Sequence, residues 1–265
     1  MCKLFSISRA AYYAWIKRSS KQDKDRERMD LVRETWEKSR KSYGYRRVTL
    51  SLQKQGVSIN HKAVLRLMKK MNIRSVARKR KPYKKMNDLG TYHRYRNILN
   101  RDFSAQKANQ KWVTDITYVR TQQGWAYLST IKDLFDGFIV AHQLGKRNSV
   151  RLVTDTLKKA KRKEKVTTKL LLHSDQGYQY TSQAYFLLTK DYKITPSMSR
   201  RGNCWDNASM ESFFGHFKEE ALRQFPIPTF AQAREIVDNY ICFYNYERIQ
   251  LKTRQTPYQT RCLSK

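Results

Sequence analysis

Between residues 108 and 250 the apolar pattern changes period several times, and that order of periods constrains what the chain can fold into more than any other feature. KWVTDITYVRTQ (111–122) is rich in β-branched and aromatic residues and predicts a strand. Gly124 marks a turn, WAYLSTIKDLF (125–135) predicts a second strand, Asp136-Gly137 a hairpin turn, and FIVAHQLGKR (138–147) a third strand. In SVRLVTDTLKKAKRKEK (149–165) apolar residues at 150, 153 and 157 precede a basic end, which is helical spacing. TTKLLLHSD (167–175) is an apolar run ending in polar residues, as in a buried strand whose tip reaches a cleft. A helix at 181–192, an extended segment at 193–199, a helix from near Asn207 to about Arg223 and a last helix over 231–247 complete the order. A hairpin meander followed by strands joined through crossover helices is an α/β arrangement around a mixed five-stranded sheet, and several such sheets fit.

The residues before 88 read as helical and basic. Residues 27–41 form one expected helix. In YGYRRVTLSLQKQG (43–56) Val48, Leu50 and Leu52 offer a core face, and Gly56 ends the helix because glycine tolerates the left-handed closing turn. Asn60 can cap HKAVLRLMKKMNI (61–73) by accepting from its free N–H groups. There Val64, Leu65, Met68 and Met71 point inward, while Lys62, Arg66, Lys69 and Lys70 project elsewhere. Helix, short turn, basic helix is the helix-turn-helix outline; its plain alternative is a basic helical module packed on something else. Residues 69–85 carry nine Lys or Arg and no acid, with Arg78, Lys79, Arg80 and Lys81 running into Pro82. That stretch is an expected linker, able to act as solvated tether, phosphate contact or both. The expected division is a helical segment 1–42, a helix-turn-helix region 43–74, a linker 75–107, an α/β domain 108–250 and a tail 251–265.

Charge narrows the partner. Fifty-five Lys and Arg face 22 Asp and Glu among 265 residues, a net +33. Such a field favours a polyanion, because each lysine–phosphate contact releases a condensed counterion. RNA binders share this composition, so charge alone does not select DNA. Cys2, Cys204, Cys242 and Cys262 are too scattered for a zinc site or a disulfide scaffold, and free thiols in a reducing cytoplasm are expected. No apolar run approaches the length of a membrane span, and the N-terminus lacks the pattern of a secretory signal.

Three acids stand where chemistry could use them. Asp115 lies within the first strand, where a charge is costly unless paired or metal-bound. Asp175 ends an apolar strand in HSDQG. Glu211 sits beside the stripe Met210, Phe213, Phe214, Phe217 and Ala221, at the edge of a buried helix face. Hard divalent cations take oxygen ligands, and two of them can clamp the attacking and leaving oxygens of an in-line displacement at phosphorus. Singly, each acid has an ordinary reading: an edge-strand surface residue, a turn residue capping Gly177, a solvated helix residue. His173, two residues before Asp175, supports the site or is a satisfied structural histidine.

The words around these acids are specific. WVTDITYV, LLHSDQGYQYTS, SMSRRGNCWDNASMESFFGHFKEE and YICFYNYERIQ, in this order, resemble the DDE transposases of bacterial insertion sequences, above all the second-reading-frame product of the insertion-sequence-three family. The 35 residues 176–210 between Asp175 and Glu211 match that family's spacing, and YGYRRVTLSLQKQGVSINHKAVLRLMKKMNI resembles its helix-turn-helix segment. The resemblance implies a ribonuclease H-like catalytic domain that cleaves and joins DNA, with Asp115, Asp175 and Glu211 holding two Mg²⁺ ions that Mn²⁺ can replace. It implies that Lys218 contacts the DNA end, with Arg46, Arg47, Lys62, Arg66, Lys69, Lys70, Arg78, Lys79, Arg80 and Lys81 as further candidate contacts. Asn207 either positions substrate or starts its helix, and Arg248 supports the domain. Gln250 stands where the family usually has histidine. Expected partners are double-stranded DNA, a second copy of the chain (a dimer at least) and an upstream-frame protein or fusion partner, in a nucleoid-associated cytoplasmic setting without a membrane. The small C-terminal barrel of retroviral integrases is expected to be missing.

Overall fold

The computed structural model describes residues 8–19, 25–76, 93–164, 166 and 169–263. The chain divides into two compact units between Val76 and Ala77.

The first unit holds helices α1 (Arg9–Ser19), α2 (Arg26–Lys38), α3 (Tyr45–Lys54) and α4 (His61–Lys70). Val32, Val48, Leu52, Val64 and Leu67 are fully buried and form its core. Of the expected inward residues, Val48, Leu52, Val64 and Met68 are buried, whereas Leu50, Leu65 and Met71 are only half-buried. Leu67 was not expected, yet Val64, Leu67 and Met68 make the i, i+3, i+4 face and Leu65 lies off it. Gly56 takes φ 84°, and the Asn60 side chain accepts from the Lys62 N–H at 2.9 Å, so turn and cap form as expected. Helix α4 stops at Lys70 rather than 73, with Asn72 in the left-handed region.

The second unit is built on one sheet of order β3-β2-β1-β4-β5. β1 (Lys111–Thr121), β2 (Gly124–Asp133) and β3 (Ile139–Gly145) form the antiparallel meander; β4 (Leu171–Ser174) runs parallel to β1 and β5 (Thr195–Met198) parallel to β4. Helices α5 (Val150–Lys163) and α6 (Gln183–Asp191) are the crossovers, started by Ser149 and Ser182 side chains that accept backbone N–H groups. Trp112, Val140, Val153, Leu157, Leu172 and Tyr185 share the core between sheet and crossovers. Helix α7 (Ala208–Phe217) buries Met210, Phe213, Phe214 and Phe217, as its stripe predicts. Helices α8 (Phe230–Tyr246) and α9 (Pro257–Leu263) follow.

Three local expectations change. The β2–β3 connection spans 134–138 instead of a two-residue turn at Asp136-Gly137. The Asp133 N–H reaches the Phe138 carbonyl and the Asp136 carboxylate accepts the Phe138 N–H, which widens the loop. β4 is four residues long, because its pairing with β1 covers only Lys111–Val113 against Leu171–His173. The helix expected to run to Arg223 turns into a π-helical turn, Lys218–Leu222, after Phe217. Among the described residues no helix is long and apolar enough to cross a membrane.

Candidate active site

β1 and β4 position the first two acids. Val113 pairs with His173 in the parallel ladder, and extending that register by two residues sets Asp115 beside Asp175 at the outgoing end of β4. Asp115 Oδ1 accepts the Ile116 N–H at 2.7 Å and Asp175 Oδ1 accepts the Gly177 N–H at 2.9 Å. Among the described residues the second oxygen of each carboxylate accepts no hydrogen bond. A Cβ at Gly177 would stand 3.0 Å from Asp175 Oδ1 and 3.0 Å from Gln179 Oε1, so these side chains would have to give by a few tenths of an ångström.

Glu211 enters from the first turn of α7, exposed beside the buried stripe. The electrostatics tie the three acids together. Burial first, then Asp175 and more weakly Glu211, push the Asp115 carboxyl well above the carboxylate range, while Lys218 pulls it down. Burial also raises Asp175. The acids lie in one field, with Lys218 half-buried within it. Among the described residues, however, no three His, Cys, Asp or Glu side chains stand close enough to share one ion. Burial raises both Asp115 and Asp175, the kind of desolvated acidic charge that a cation would offset. Their all-oxygen donor set suits Mg²⁺ or Mn²⁺.

His173 is fully buried and structural. Ser197 Oγ accepts the N–H groups of Ile98 and Leu99 at 2.9 and 3.1 Å, so its hydroxyl proton is donated to His173 Nδ1 at 2.8 Å. The other ring nitrogen is then the donor, Nε2–H to Ser199 Oγ at 3.0 Å. Burial pushes the imidazole down to about 4 and keeps it neutral. Asn207 occupies the N-cap of α7 but its side chain makes no cap bond, and its buried Oδ1 has no partner among the described residues.

Two buried carboxylates that the sequence did not single out fix α7 at both ends. Asp206, just before Asn207, accepts from Asn97 Nδ2, Arg101 Nε and the Arg200 N–H, Nε and Nη2 at 2.9–3.0 Å. Arg200, foremost, holds its carboxyl far below the usual range. Glu220, in the π-helical turn, accepts from Arg248 Nε and Nη2 at 2.8 and 2.7 Å and from the Tyr240 hydroxyl at 2.9 Å. Arg248, 1% exposed, therefore supports the site from within the core. An acid amid apolar neighbours with arginines nearby in sequence (Arg200, Arg201 before Asp206) is the only signal that could have pointed to these anchors.

In the first unit, Lys62, Lys69 and Lys70 are exposed on α4 and Arg46 on α3. Arg47 lies over the Tyr43 ring, and Arg66 holds both oxygens of Asp25 at 2.8 and 3.0 Å. Arg78, Lys79, Arg80 and Lys81 fall outside the described residues.

Comparison with known proteins gives this geometry a lineage. Two models described as "Integrase core domain" match residues 105–204 and 192–249, and one described as "HTH-like domain" matches residues 22–81. The putative transposase InsK for insertion sequence element IS150 of Escherichia coli (strain K12) is 37% identical over 256 residues, 96% of this chain and 90% of its own. The chain belongs to the transposases of bacterial insertion sequences. The transposase InsF for insertion sequence IS3A of the same organism is 33% identical over 252 residues, covering 92% of this transposase and 86% of InsF, which places the chain in the insertion-sequence-three family. A simian T-cell lymphotropic virus intasome structure aligns at TM-score 0.52 and 16% identity over 83% of this chain and 70% of that one, a likeness of fold. The transposase thus has the ribonuclease H-like integrase core, preceded by a helix-turn-helix-like region. It is a DDE-type polynucleotidyl transferase that cleaves DNA and transfers strands, and DNA is its partner.

Proposed function

We propose that this transposase cuts at insertion-sequence ends to free a 3′-hydroxyl and joins that hydroxyl to a second phosphodiester, with Asp115, Asp175 and Glu211 as the metal ligands. The observation that carries this reading is the parallel β1–β4 ladder, in which Val113 pairs with His173 two residues before each aspartate, with one oxygen of Asp115 and one of Asp175 held by backbone N–H groups. Asp115, Asp175 and Glu211 would together hold the ions, Asp115 serving both. Mg²⁺ is the natural ion and Mn²⁺ its substitute; when bound, the pair activates the attacking water or 3′-hydroxyl oxygen and stabilises the leaving 3′-oxygen. With two dications bound, three carboxylates would leave a net charge of about +1, suited to a phosphate.

The protein's own residues hold the frame. Backbone N–H groups pin one oxygen of Asp115 and one of Asp175, leaving the other of each for a ligand. Lys218 supplies positive charge for the DNA end. Arg46, Lys62, Lys69 and Lys70 contact duplex phosphate or bases, and the segments 1–42, 43–74, 75–107, 108–250 and 251–265 divide the work between DNA capture and chemistry. Pairing two DNA ends requires two protomers, with an upstream-frame protein or fusion partner in the bacterial cytoplasm.

A labelled element-end duplex with Mg²⁺ tests this. Asp115→Ala and Glu211→Gln are expected to bind it as the wild type does, with neither cleavage nor joining. Cleavage persisting in either variant refutes the ligand assignment; free 3′ ends without joined product make the protein a nuclease instead.

A further inference from the structure

The β1–β2 hairpin carries an aromatic surface that the acidic site does not use. Tyr118 pairs with Tyr127 and Arg120 with Trp125 across the two strands. Strand alternation therefore puts all four side chains on one face, with Asp115 on the opposite face. Tyr118 is 46% exposed and Trp125 57% exposed. Their rings touch edge to face, with centroids 6.1 Å apart, and Tyr118 meets Tyr127 at 5.3 Å. The result is a contiguous, partly exposed aromatic surface.

The platform is rigid. Beyond it, the Gln122 N–H donates to the Pro228 carbonyl at 2.9 Å and Gln122 Nε2 to the Ile227 carbonyl at 3.0 Å. The Phe230 N–H returns to Gln123 Oε1 at 2.8 Å. Cations flank it: Arg120 is paired with Trp125, residues 116–131 contain no acid, and Lys146 and Arg147 follow Gly145, the residue paired with Tyr127. Tyr118 lies three residues beyond Asp115, about 10 Å along the strand.

We propose that Tyr118, Trp125 and Tyr127 form a stacking site for unpaired bases of a DNA strand passing over the face of the sheet opposite Asp115, with Arg120 at its edge for the phosphate. Every base has a π face, and stacking on a fixed aromatic with a cation nearby is how proteins hold single strands without reading sequence. The strongly basic chain, with Arg120 paired to Trp125, favours a polyanion over an apolar protein partner. The inference rests on the DNA-processing reading above.

The test uses the full chain and two duplexes of one sequence, blunt or with a four-nucleotide unpaired 3′ tail carrying 2-aminopurine. The wild type is expected to prefer the tailed duplex and to quench the 2-aminopurine. Trp125→Ala loses about 5- to 150-fold of affinity for the tail, the range of one stacked base. It keeps its blunt-duplex affinity and its melting temperature, because the ring is exposed, and Trp125→Phe keeps most of the preference. An unchanged tail preference in Trp125→Ala overturns the proposal. So does a DNA-free protein whose self-association is broken by Trp125→Ala, which makes the surface a contact between copies. A wild type that binds neither duplex overturns this proposal and the DNA-processing reading together, whereas a tail preference without cleavage sinks only the assignment of the acids.

Discussion

Replacing Arg248 with methionine tests whether α7 is held from behind by a buried charge. Arg248 and Glu220 are 1% and 5% exposed, joined by two charge-assisted hydrogen bonds at 2.8 and 2.7 Å. Arg248→Met fills much of the same volume but leaves Glu220 with only the Tyr240 hydroxyl at 2.9 Å and His216 at 3.6 Å. Stranding one partner of a buried pair costs about 3–5 kcal/mol, whereas replacing both partners by residues of similar volume is often close to neutral. The second unit is 189 residues (77–265), a size for which 1 kcal/mol moves the melting temperature by about 2–4 °C. Arg248→Met is therefore expected to melt about 6–20 °C below the wild type by circular dichroism, and Glu220→Gln/Arg248→Met much nearer to it. The sign with pH follows. Burial alone would raise the Glu220 carboxyl, but Arg248, His216 and Tyr240 outweigh it and hold it below its usual 4.5. The pair's contribution is present above that unfolded value and fades as the pH falls through the folded one, so the gap between variant and wild type narrows in acid. A single variant melting within 2 °C of wild type, or a double variant no better than the singles, refutes the idea that this pair fixes the π-helical turn after Lys218.

Asp115→Asn removes a buried, repelled charge. Its carboxyl is raised in the fold, burial first and then Asp175, so the charge costs stability at neutral pH, and metal-free Asp115→Asn is expected to melt above the wild type at pH 7 while losing cleavage; metal-free melts at pH 7 with no gain count against it. Gly177→Ala brings a Cβ to 3.0 Å from Asp175 Oδ1, and cleavage at subsaturating Mg²⁺ is expected to fall about tenfold with recovery at high Mg²⁺; a titration curve superimposable on wild type sinks the steric argument. Arg261 holds Asp133, Asp136 and Glu164 at 2.8, 2.6 and 2.7 Å, so Arg261→Ala is expected to lose about 3–5 kcal/mol at pH 7. Burial, then Asp136, lift Asp133 to about 6, so its charge stops costing stability as the pH falls through that value; the variant should regain stability between pH 7 and 5, and a flat profile rejects this.

The sheet, its crossovers and the stripe of α7 were readable in the chain because periodicity records burial. Trp112, Leu172, Phe213 and Phe217 are buried where alternation or the helical period put them. Boundaries failed where a side chain competes with the ladder or the helix. Asp136 captures the Phe138 N–H and opens the hairpin, and the Glu220 anchor coincides with the π-helical turn in α7's continuation. Helix α9 lay in a stretch taken for a tail, since what ties it down is Arg261 reaching carboxylates more than 90 residues away, a contact that no local pattern encodes. Asp115, Asp175 and Glu211 were singled out through the words around them. Asp206 and Glu220 were missed because a buried acid and a solvated one look alike until their partners are known.

The same physics separates the roles of the buried acids. Asp206 and Glu220 are desolvated, yet arginines compensate them and both sit below the usual carboxylate range. Asp115 and Asp175 are desolvated without such a partner and both sit above it. Had folding stability been the only demand, an arginine at β1 or β4 would have served as Arg200 and Arg248 do. That the uncompensated pair stands on adjacent strands, one oxygen of each fixed by backbone and the other open, while the compensated pair braces the helix bearing Glu211 and Lys218, argues for a division of labour. Arginine-bound acids hold the frame, and on the reading proposed above the arginine-free acids are left for a cation to compensate.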